Sequence, residues 1–219
     1  MADGQTPRSG RQTDVTFIVI GLAVLVVGAL VVRDGSVSDA EEAVFDAVNE
    51  LPDALEPVLW PAQQLGALFV GPVVALVALV LRRYRLAVAA ILATVAKLVL
   101  ERVVKATVSR ERPATSIGPD INARGDVSLS GESFVSGHAA LVTALAGVVY
   151  PYLPGRWKIV PWVLVGLVVV GRVYVGAHNP LDVICGAALG LVIAGTINFA
   201  LRPRQRQRDS STERSAIGV

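Results

Sequence analysis

Long apolar runs constrain the fold of this chain more than any other feature. The run from Val15 to Val32 contains no charged residue. As a helix rising about 1.5 Å per residue, it is long enough to cross most of a hydrocarbon core of about 30 Å. Of the 219 residues, 53% are hydrophobic and 17% are charged, whereas soluble domains carry about 25% charged residues. We therefore expect an integral membrane protein and exclude a soluble domain or a disordered chain.

Six segments have the length and composition of membrane helices. Arg8 and Arg11 precede the first as in a signal peptide, but the apolar run is too long and no small-residue cleavage site follows, so we expect an anchor. The predicted fold class is an all-α, six-helix transmembrane bundle in one domain, 15–201, between polar tails 1–14 and 202–219. The predicted spans are 15–32, about 59–81, 86 to beyond 100, about 138–153, 157–175 and 181–201.

Basic residues predict the orientation of the bundle. Twelve of the 20 Lys and Arg residues lie in the two tails and in the turns at 82–85 and 156–158. The positive-inside rule places both termini in the cytoplasm of a multi-pass cell-membrane protein. The segment 34–56 holds eight acidic residues and no basic one, so it faces outward. We expect the Arg-rich tail after Leu201 to be disordered and close to anionic lipid headgroups.

An amphipathic helix is predicted in the outward segment, at about 38–58. Ser38 and Glu41 form a capping-box pattern at its start. The apolar residues that follow recur at helical spacing: Val44, Val48, Leu51, Leu55 and Val58. We expect this helix to lie on the outer surface, with its acidic residues as a solvated face that takes no part in chemistry.

The unusual polar residues collect at the outer helix ends. These are the chain's two histidines and four cations: His138, His178, Lys105, Arg110, Arg112 and Arg172. If the third helix persists as far as Pro113, Lys105 and Arg112 lie two turns apart on one face, without matching acids, and suit a phosphate. The alternative is that they are anchors reaching to the membrane interface. Lys97 and Glu101, four residues apart, are better explained as an ion pair inside the bundle.

Two further segments carry polar groups at helix starts. Ser136 is a plausible N-cap, Gly137 allows close approach, and His138 follows in the first turn, which together form an anion site beside a proton donor. The alternative is a plain helix cap with an interfacial histidine. An outer loop of about 113–135 precedes this segment.

The last segment pairs a histidine with a carboxylate. Asn179 as N-cap and Pro180 as first residue begin the sixth helix, so His178 lies just before it and Asp182 about one turn later. The carboxylate can fix the imidazole tautomer and leave the other nitrogen free to attack, with Arg172 as a further cation. The alternative is a structural His–Asp pair. Cys185 is expected to be a small buried apolar residue.

Taken together, these segments resemble the type 2 phosphatidic acid phosphatase family, within the haloperoxidase-like phosphatase superfamily. The shared pattern is KxxxxxxRP from Lys105 to Pro113, then SGH at 136–138, then RxxxxxHxxxD from Arg172 to Asp182. Order and spacing agree over roughly residues 105–190. Two positions depart from the family pattern: Val135 stands where proline is usual, and Gly171 where serine is frequent. These departures affect fine geometry.

The resemblance implies an all-helical membrane enzyme that hydrolyses lipid phosphates or diphosphates without a metal or other cofactor. His178 would attack phosphorus, Asp182 would orient it, and His138 would protonate the leaving oxygen. The substrate phosphate would be bound by Lys105, Arg112, Ser136, Gly137 and Arg172. The expected partners are membrane lipids and a lipid phosphate substrate, not nucleic acid.

The substrate and two rival functions stay open on the sequence. A polyprenyl diphosphate such as undecaprenyl diphosphate is slightly favoured over phosphatidic acid or phosphatidylglycerol phosphate. A transporter would place its charges near the membrane midplane, whereas here they collect at one end. A non-catalytic lipid-phosphate-binding relative would lose His138, His178 or Asp182, and all three are present.

Overall fold

The computed structural model describes residues 7–202. Within that range the fold is all-helical and contains no β-strand. The α-helices are α1 (Pro7–Val31), α2 (Asp39–Asn49), α3 (Glu56–Gln63), α4 (Val70–Val80), α5 (Tyr84–Lys105), α6 (Pro113–Ser116), α7 (Gly137–Val149), α8 (Val160–Tyr174) and α9 (Pro180–Leu201). Short 3₁₀ turns lie at Asp53–Leu55, Gln64–Gly66, Tyr150–Tyr152 and Gly155–Ile159. The all-α prediction is confirmed.

Helix α7 lies at the centre of the bundle and is buried along almost its whole length. It packs against α5, α8 and α9, while α1 packs along α9. Small residues allow the close approach of α7 and α9: a Cβ on Gly190 would lie 2.5 Å from the carbonyl oxygen of Ala140. Such small-residue contacts are typical of helix pairs in membranes, where backbones pack closely. Because α7 is central, the residues at each end of the bundle surround one of its two ends.

Three helices of the described chain are long and apolar enough to cross a membrane: Gly10–Val31, Gly155–Tyr174 and Pro180–Leu201. The segments Asp53–Gly66 and Val70–Val80 make a fourth if they form one span, bent by 73°. Helix α5 has sufficient length but carries the charged residues noted above. The finding therefore supports an integral membrane protein, and the count of six spans stays a prediction.

The second predicted span is broken where the sequence indicated a continuous helix. Gly71 and Pro72, which lie within the predicted span, do not cause the break, because Pro72 lies in the first turn of α4, where a missing amide hydrogen costs nothing. The break lies just before α4 and follows Gly66. A Cβ on Gly66 would lie 2.6 Å from the carbonyl oxygen of His138, so the chain turns where it meets the start of α7.

The helix predicted at about 38–58 is shorter than expected, because α2 ends at Asn49, and its buried face differs from the predicted apolar face. Helix α2 begins after Ser38, whose hydroxyl accepts a hydrogen bond from the Glu41 amide at 3.3 Å. Val44, expected on the apolar face, is 53% exposed. The buried face consists of residues at four-residue spacing: Glu41, Phe45 and Asn49. Because Glu41 and Asn49 find polar partners inside the protein, α2 contributes a buried carboxylate to this end of the bundle.

Apart from the start of the first, the other predicted spans agree with the helices to within a few residues. The first helix starts earlier than expected, at Pro7, and the fourth ends in the turn Tyr150–Tyr152. Helix α9 starts at Pro180 after Asn179, as the sequence predicted. The prediction of a disordered Arg-rich tail concerns residues outside the described range.

Candidate active site

Four helix ends meet at one end of the bundle and bring the predicted site residues together. Lys105 is the last residue of α5, His138 is the second residue of α7, Arg172 lies in the last turn of α8, and Asp182 lies in the first turn of α9. His178 lies in the short turn between α8 and α9. The antiparallel order of α7, α8 and α9 places these residues at the same end, as predicted.

Ser133 connects His178 to Asp182. The Asp182 carboxylate oxygen Oδ2 lies 3.7 Å from His178 Nδ1, too far for a direct hydrogen bond. The Ser133 hydroxyl lies between them: it donates to Oδ2 and lies 3.2 Å from Nδ1. Since its one proton goes to the carboxylate, Ser133 Oγ is left to accept a hydrogen bond from Nδ1–H. This arrangement favours the tautomer whose Nε2 is unprotonated.

His178 is held in its neutral form by its surroundings. Its side chain is almost completely buried. Burial lowers the pKa of His178 to about 4, although its contact with Asp182 acts in the opposite direction. A neutral imidazole keeps a lone pair on nitrogen and is the form that acts as a nucleophile.

The second carboxylate oxygen of Asp182 is held by Arg110. Arg110 Nη1 donates to Asp182 Oδ1 at 3.0 Å, and both side chains are fully buried. The same guanidinium donates to both oxygens of Glu41. Asp182 Oδ2 also accepts from the Asn179 amide at 2.9 Å, which completes half of a capping box on α9. Sequence position grouped Arg110 with Lys105, Arg112 and Arg172 at the outer helix ends. In the structure its side chain binds carboxylates instead of facing a phosphate site.

Lys105 and Arg112 do not share a helix face, contrary to expectation. Helix α5 ends at Lys105, and Arg112 is extended, with ψ of 160°, because a residue before proline is pushed out of the helical region. Arg112 Nη1 donates to the carbonyl oxygen of Ala177 at 2.7 Å, beside His178. The expected lack of matching acids was also wrong for Lys105, which lies 3.0 Å from Glu101.

Arg172 is held by a residue that the sequence analysis missed. Arg172 Nη1 donates to Gln63 Oε1, and both residues are buried. Gly171 makes this approach possible, because a Cβ there would lie 3.0 Å from the Leu59 carbonyl oxygen and 3.2 Å from Gln63 Cβ. The departure at Gly171 from the family pattern thus coincides with a close contact between α8 and α3.

Several buried donors at this end have no hydrogen-bond partner among the described residues. They include Arg112 Nε, Arg172 Nε and the hydroxyl of Ser136. Ser136 occupies the N-cap position of α7, as predicted, but its side chain makes no cap hydrogen bond. Half-buried His138 follows in the first turn. Because buried donors normally find partners, this set fits an oxyanion such as a phosphoryl group.

Two further predictions for this region are confirmed, an ion pair and a buried cysteine. Lys97 Nζ lies 2.6 Å from Glu101, as the spacing indicated, and Cys185 is buried. Across residues 7–202, no three His, Cys, Asp or Glu side chains form a group that could hold a metal ion. Ser133 lies five residues before His138, and its serine-rich context gave the only local signal of its role. Glu41 and Gln63 had none.

Comparisons with known proteins show the family of the chain. Residues 84–206 match the profile of the PAP2 superfamily, which is more than half of the chain. The chain therefore belongs to the PAP2 superfamily and is a hydrolase of phosphoric esters.

Two solved structures are similar to this chain. Aquifex aeolicus LpxE is 26% identical, with a TM-score of 0.64 over 72% of this chain and 93% of its own. A PAP2-type phosphatidylglycerolphosphate phosphatase from Bacillus subtilis is 23% identical, with a TM-score of 0.68 over 89% of this chain and 99% of its own. The second likeness concerns the fold alone. No curated protein matches the chain.

Proposed function

We propose that this protein is a metal-independent lipid phosphate or diphosphate phosphatase that acts through a phosphohistidine intermediate. The observation that carries the proposal is the meeting of a neutral, buried His178 with unpartnered donors of Arg112, Arg172 and Ser136 at one end of the bundle. A nucleophile beside a cluster of anion-facing donors is what in-line phosphoryl transfer requires.

The proposed reaction has two steps. His178 Nε2 bonds to phosphorus as the bond from phosphorus to the leaving oxygen breaks, and His138 gives its proton to that oxygen. Water then attacks phosphorus, the bond to Nε2 breaks, and His138 takes a proton from the water. Ser133 and Asp182 stabilise the positive imidazole formed in the first step.

The phosphoryl oxygens would be bound by Arg112, Arg172, Ser136 and the Gly137 amide at the start of α7. Lys105 would join them by exchanging its contact with Glu101 for one with the substrate. These cations supply the charge neutralisation that a metal ion supplies in other phosphatases.

The substrate would present its phosphate at the membrane surface while its tail stays in lipid. We place this surface outside the cell and both termini in the cytoplasm, because basic residues collect at the opposite end of the bundle. A polyprenyl diphosphate is the favoured substrate. Phosphatidic acid and phosphatidylglycerol phosphate are the alternatives, the latter being the substrate in the name of the B. subtilis neighbour.

Phosphate release from purified protein in detergent tests the activity. We expect release from at least one of polyprenyl diphosphate, phosphatidic acid and phosphatidylglycerol phosphate, inhibition by vanadate, and no loss with EDTA. The control is His178→Gln, prepared in parallel. Loss of activity with EDTA and recovery with Mg²⁺ would contradict the metal-independent mechanism, and no release from any lipid phosphate would favour a non-catalytic binding protein.

Cysteine labelling tests the orientation. Ser128 lies exposed in the outer loop, and native Cys185 is buried, so Ser128→Cys adds one reactive thiol. We expect an impermeant reagent to label it in intact cells. Arg156→Cys, in the exposed turn at the other end of the bundle, should be labelled only after lysis. The reverse pattern would invert the proposed topology.

A further inference from the structure

We infer that Glu41 and Arg110 are positioning residues for His178, so that the outer helix α2 takes part in catalysis. The inference rests on the proposed function, because His178 is there the nucleophile. Within the described range, the side-chain hydrogen bonds of Glu41 and Arg110 involve none of Arg112, Arg172 and Ser136. Their influence on His178 passes through Asp182 and Ser133.

The Asp182 carboxylate has both of its oxygens held. Oδ2 accepts from the Ser133 hydroxyl and from the Asn179 amide, and Oδ1 accepts from Arg110. The Ser133 amide also donates to the Arg110 carbonyl oxygen at 2.7 Å. Arg110 thus fixes both the rotation of the carboxylate and the backbone that carries the bridging hydroxyl.

Glu41 in turn fixes Arg110. The guanidinium donates to both Glu41 oxygens and to the Ser36 carbonyl oxygen just before α2. Glu41 Oε1 also accepts from the Leu181 amide at 2.8 Å, in the first turn of α9. One carboxylate of α2 therefore bonds to the Arg110 side chain and to the helix that carries Asp182.

Glu41 affects Asp182 because both carboxylates bind the same guanidinium. Arg110 serves two carboxylates, so the three side chains together carry a net negative charge beside His178. A planar guanidinium can bridge two carboxylates with separate donors, whereas a lysine ammonium offers a point charge. Without the guanidinium, Asp182 Oδ1 loses its partner and only the bonds of Oδ2 to Ser133 and Asn179 resist rotation of the carboxylate. The hydrogen bond that selects the His178 tautomer then loosens.

A purely structural role is the alternative, and the chain offers a matched control. Arg124 also ties α2 to the outer loop: it donates to the carbonyl oxygen of Asn49 and forms a salt bridge with Asp53 at 3.0 Å. Within residues 7–202, the side chain of Asp53 bonds to Arg124 and to neither Asp182 nor Ser133. Asp53→Asn therefore removes an acid that anchors the same outer segment, away from the nucleophile.

Kinetics of Arg110→Lys and Glu41→Ala provide the first readout. We expect kcat to fall about 10- to 100-fold, the range seen when the group that orients a reactive side chain is removed. KM and the vanadate inhibition constant should stay within about twofold, since the phosphate-binding donors are intact. Glu41→Gln keeps an oxygen acceptor for Arg110 and Leu181 and should retain more activity than Glu41→Ala. Asp53→Asn should leave kcat unchanged.

Ring ¹⁵N NMR of histidine-labelled protein provides a readout that needs no activity. The chain has two histidines, and His138→Gln assigns their signals. In the wild-type protein we expect His178 to carry its proton on Nδ1, and in Arg110→Lys and Glu41→Ala a mixture of both neutral tautomers.

The two readouts separate the possible failures. Wild-type His178 signals in folded Arg110→Lys or Glu41→Ala overturn the inference, whatever the activity. A parallel fall of kcat in Asp53→Asn overturns it in favour of a structural role. A wild-type protein that releases no phosphate overturns the proposed function, while the tautomer shift would still support the positioning contacts. If Arg110→Lys does not fold, the comparison of Glu41→Ala with Glu41→Gln tests the inference.

Discussion

The basic residues at the two ends of the bundle contact different kinds of groups. At the end away from the site, cations lie over aromatic rings: Arg11 over Phe199 at 4.4 Å, Lys158 over Tyr150 at 5.4 Å and Arg83 over Tyr152 at 5.7 Å. At the site end, Arg124 also lies over a ring, that of Tyr174 at 4.1 Å, but the basic residues closest to His178 bond to carboxylates, a glutamine and backbone oxygens, in part completely buried. Within residues 7–202, the far end has one such carboxylate contact as well, between Arg202 and Asp14.

This difference shows what each end requires of its charges. A cation over a ring contributes about 0.5–1 kcal/mol at an exposed site and tolerates changes of angle. Buried hydrogen-bonded charges are costly to bring out of water and are held in one geometry. Cations at the first end suit membrane orientation and stability, whereas the site end is arranged for a reaction that needs fixed atoms.

The largest effect is expected from His178→Gln, which removes the proposed nucleophile. Turnover should fall by at least about 10⁴-fold, as for other catalytic groups that act as a unit. Acid-labile labelling by a substrate carrying labelled phosphate should disappear. His138→Gln should slow turnover by about 10²- to 10⁴-fold, the contribution of general acid–base catalysis, and let the label accumulate. Equal labelling in both variants would remove His178 from its role.

Ser133→Ala should have the next largest effect. It removes the bridge between His178 and Asp182 without changing the phosphate-binding donors, so we expect kcat to fall about 10- to 100-fold at constant KM. Ser128→Ala, in the exposed part of the same loop, is the control and should be silent. A rise in KM without a fall in kcat would show that Ser133 binds substrate.

Gly171→Ala tests the contact that supports Arg172. The added methyl would press on Leu59 and Gln63 of α3, and overpacking costs about 1–3 kcal/mol of stability. We expect KM to rise several-fold, about 2- to 10-fold for a shift of up to about 1.4 kcal/mol in binding. Gly166→Ala on the same helix, with nothing within 4 Å, should leave KM unchanged and, because alanine favours helix over glycine, should not lower the melting temperature.

The low pKa of His178 predicts that the free energy of unfolding depends on pH. Its folded pKa of about 4 lies below the value of about 6.5 for a free histidine. The unfolded chain therefore takes up this proton first, so stability falls as pH drops from about 6.5 towards 4. We expect the His178 ring signals to stay neutral at pH 5, and the acid destabilisation to be weaker in His178→Gln. Titration near pH 6.5 would contradict the buried environment.

The smallest effect on turnover is expected at the other end of the bundle. Arg202 lies 2.7 Å from buried Asp14 and joins α9 to α1. Arg202→Gln leaves this carboxylate short of a partner, so the melting temperature should fall, while kcat per folded molecule should stay within about twofold because no reacting atom moves. A large fall in kcat would show that the two ends are coupled.

Local sequence patterns predicted the parts of the site that depend on neighbouring residues. Asn179 with Pro180 fixed the start of α9, and the spacing of His178 and Asp182 placed both at that start. Arg112 was misplaced although the signal was present, because proline at 113 disfavours helix at the residue before it.

Contacts between distant segments could not be predicted in this way. Glu41 and Arg110 are 69 residues apart, and Gln63 and Arg172 are 109 apart. In a capping-box pattern on an acid-rich helix, Glu41 has the features of a solvated residue. Only the fold shows that this face turns inward, because burial of the carboxylate depends on an arginine from another segment.

The position of Glu41 and Gln63 has a consequence for exchanging parts between relatives. The family profile begins at residue 84, so a chimera that transplants only that portion would carry every motif residue. In a host whose side chains at the positions of Glu41 and Gln63 differ, Arg110 and Arg172 would lack these two partners. We expect such chimeras to fold and lose activity unless the donor's residues 39–66 are transferred together with the motifs. Helices α2 and α3 would then belong to the smallest portion of the chain that can be exchanged with its activity intact.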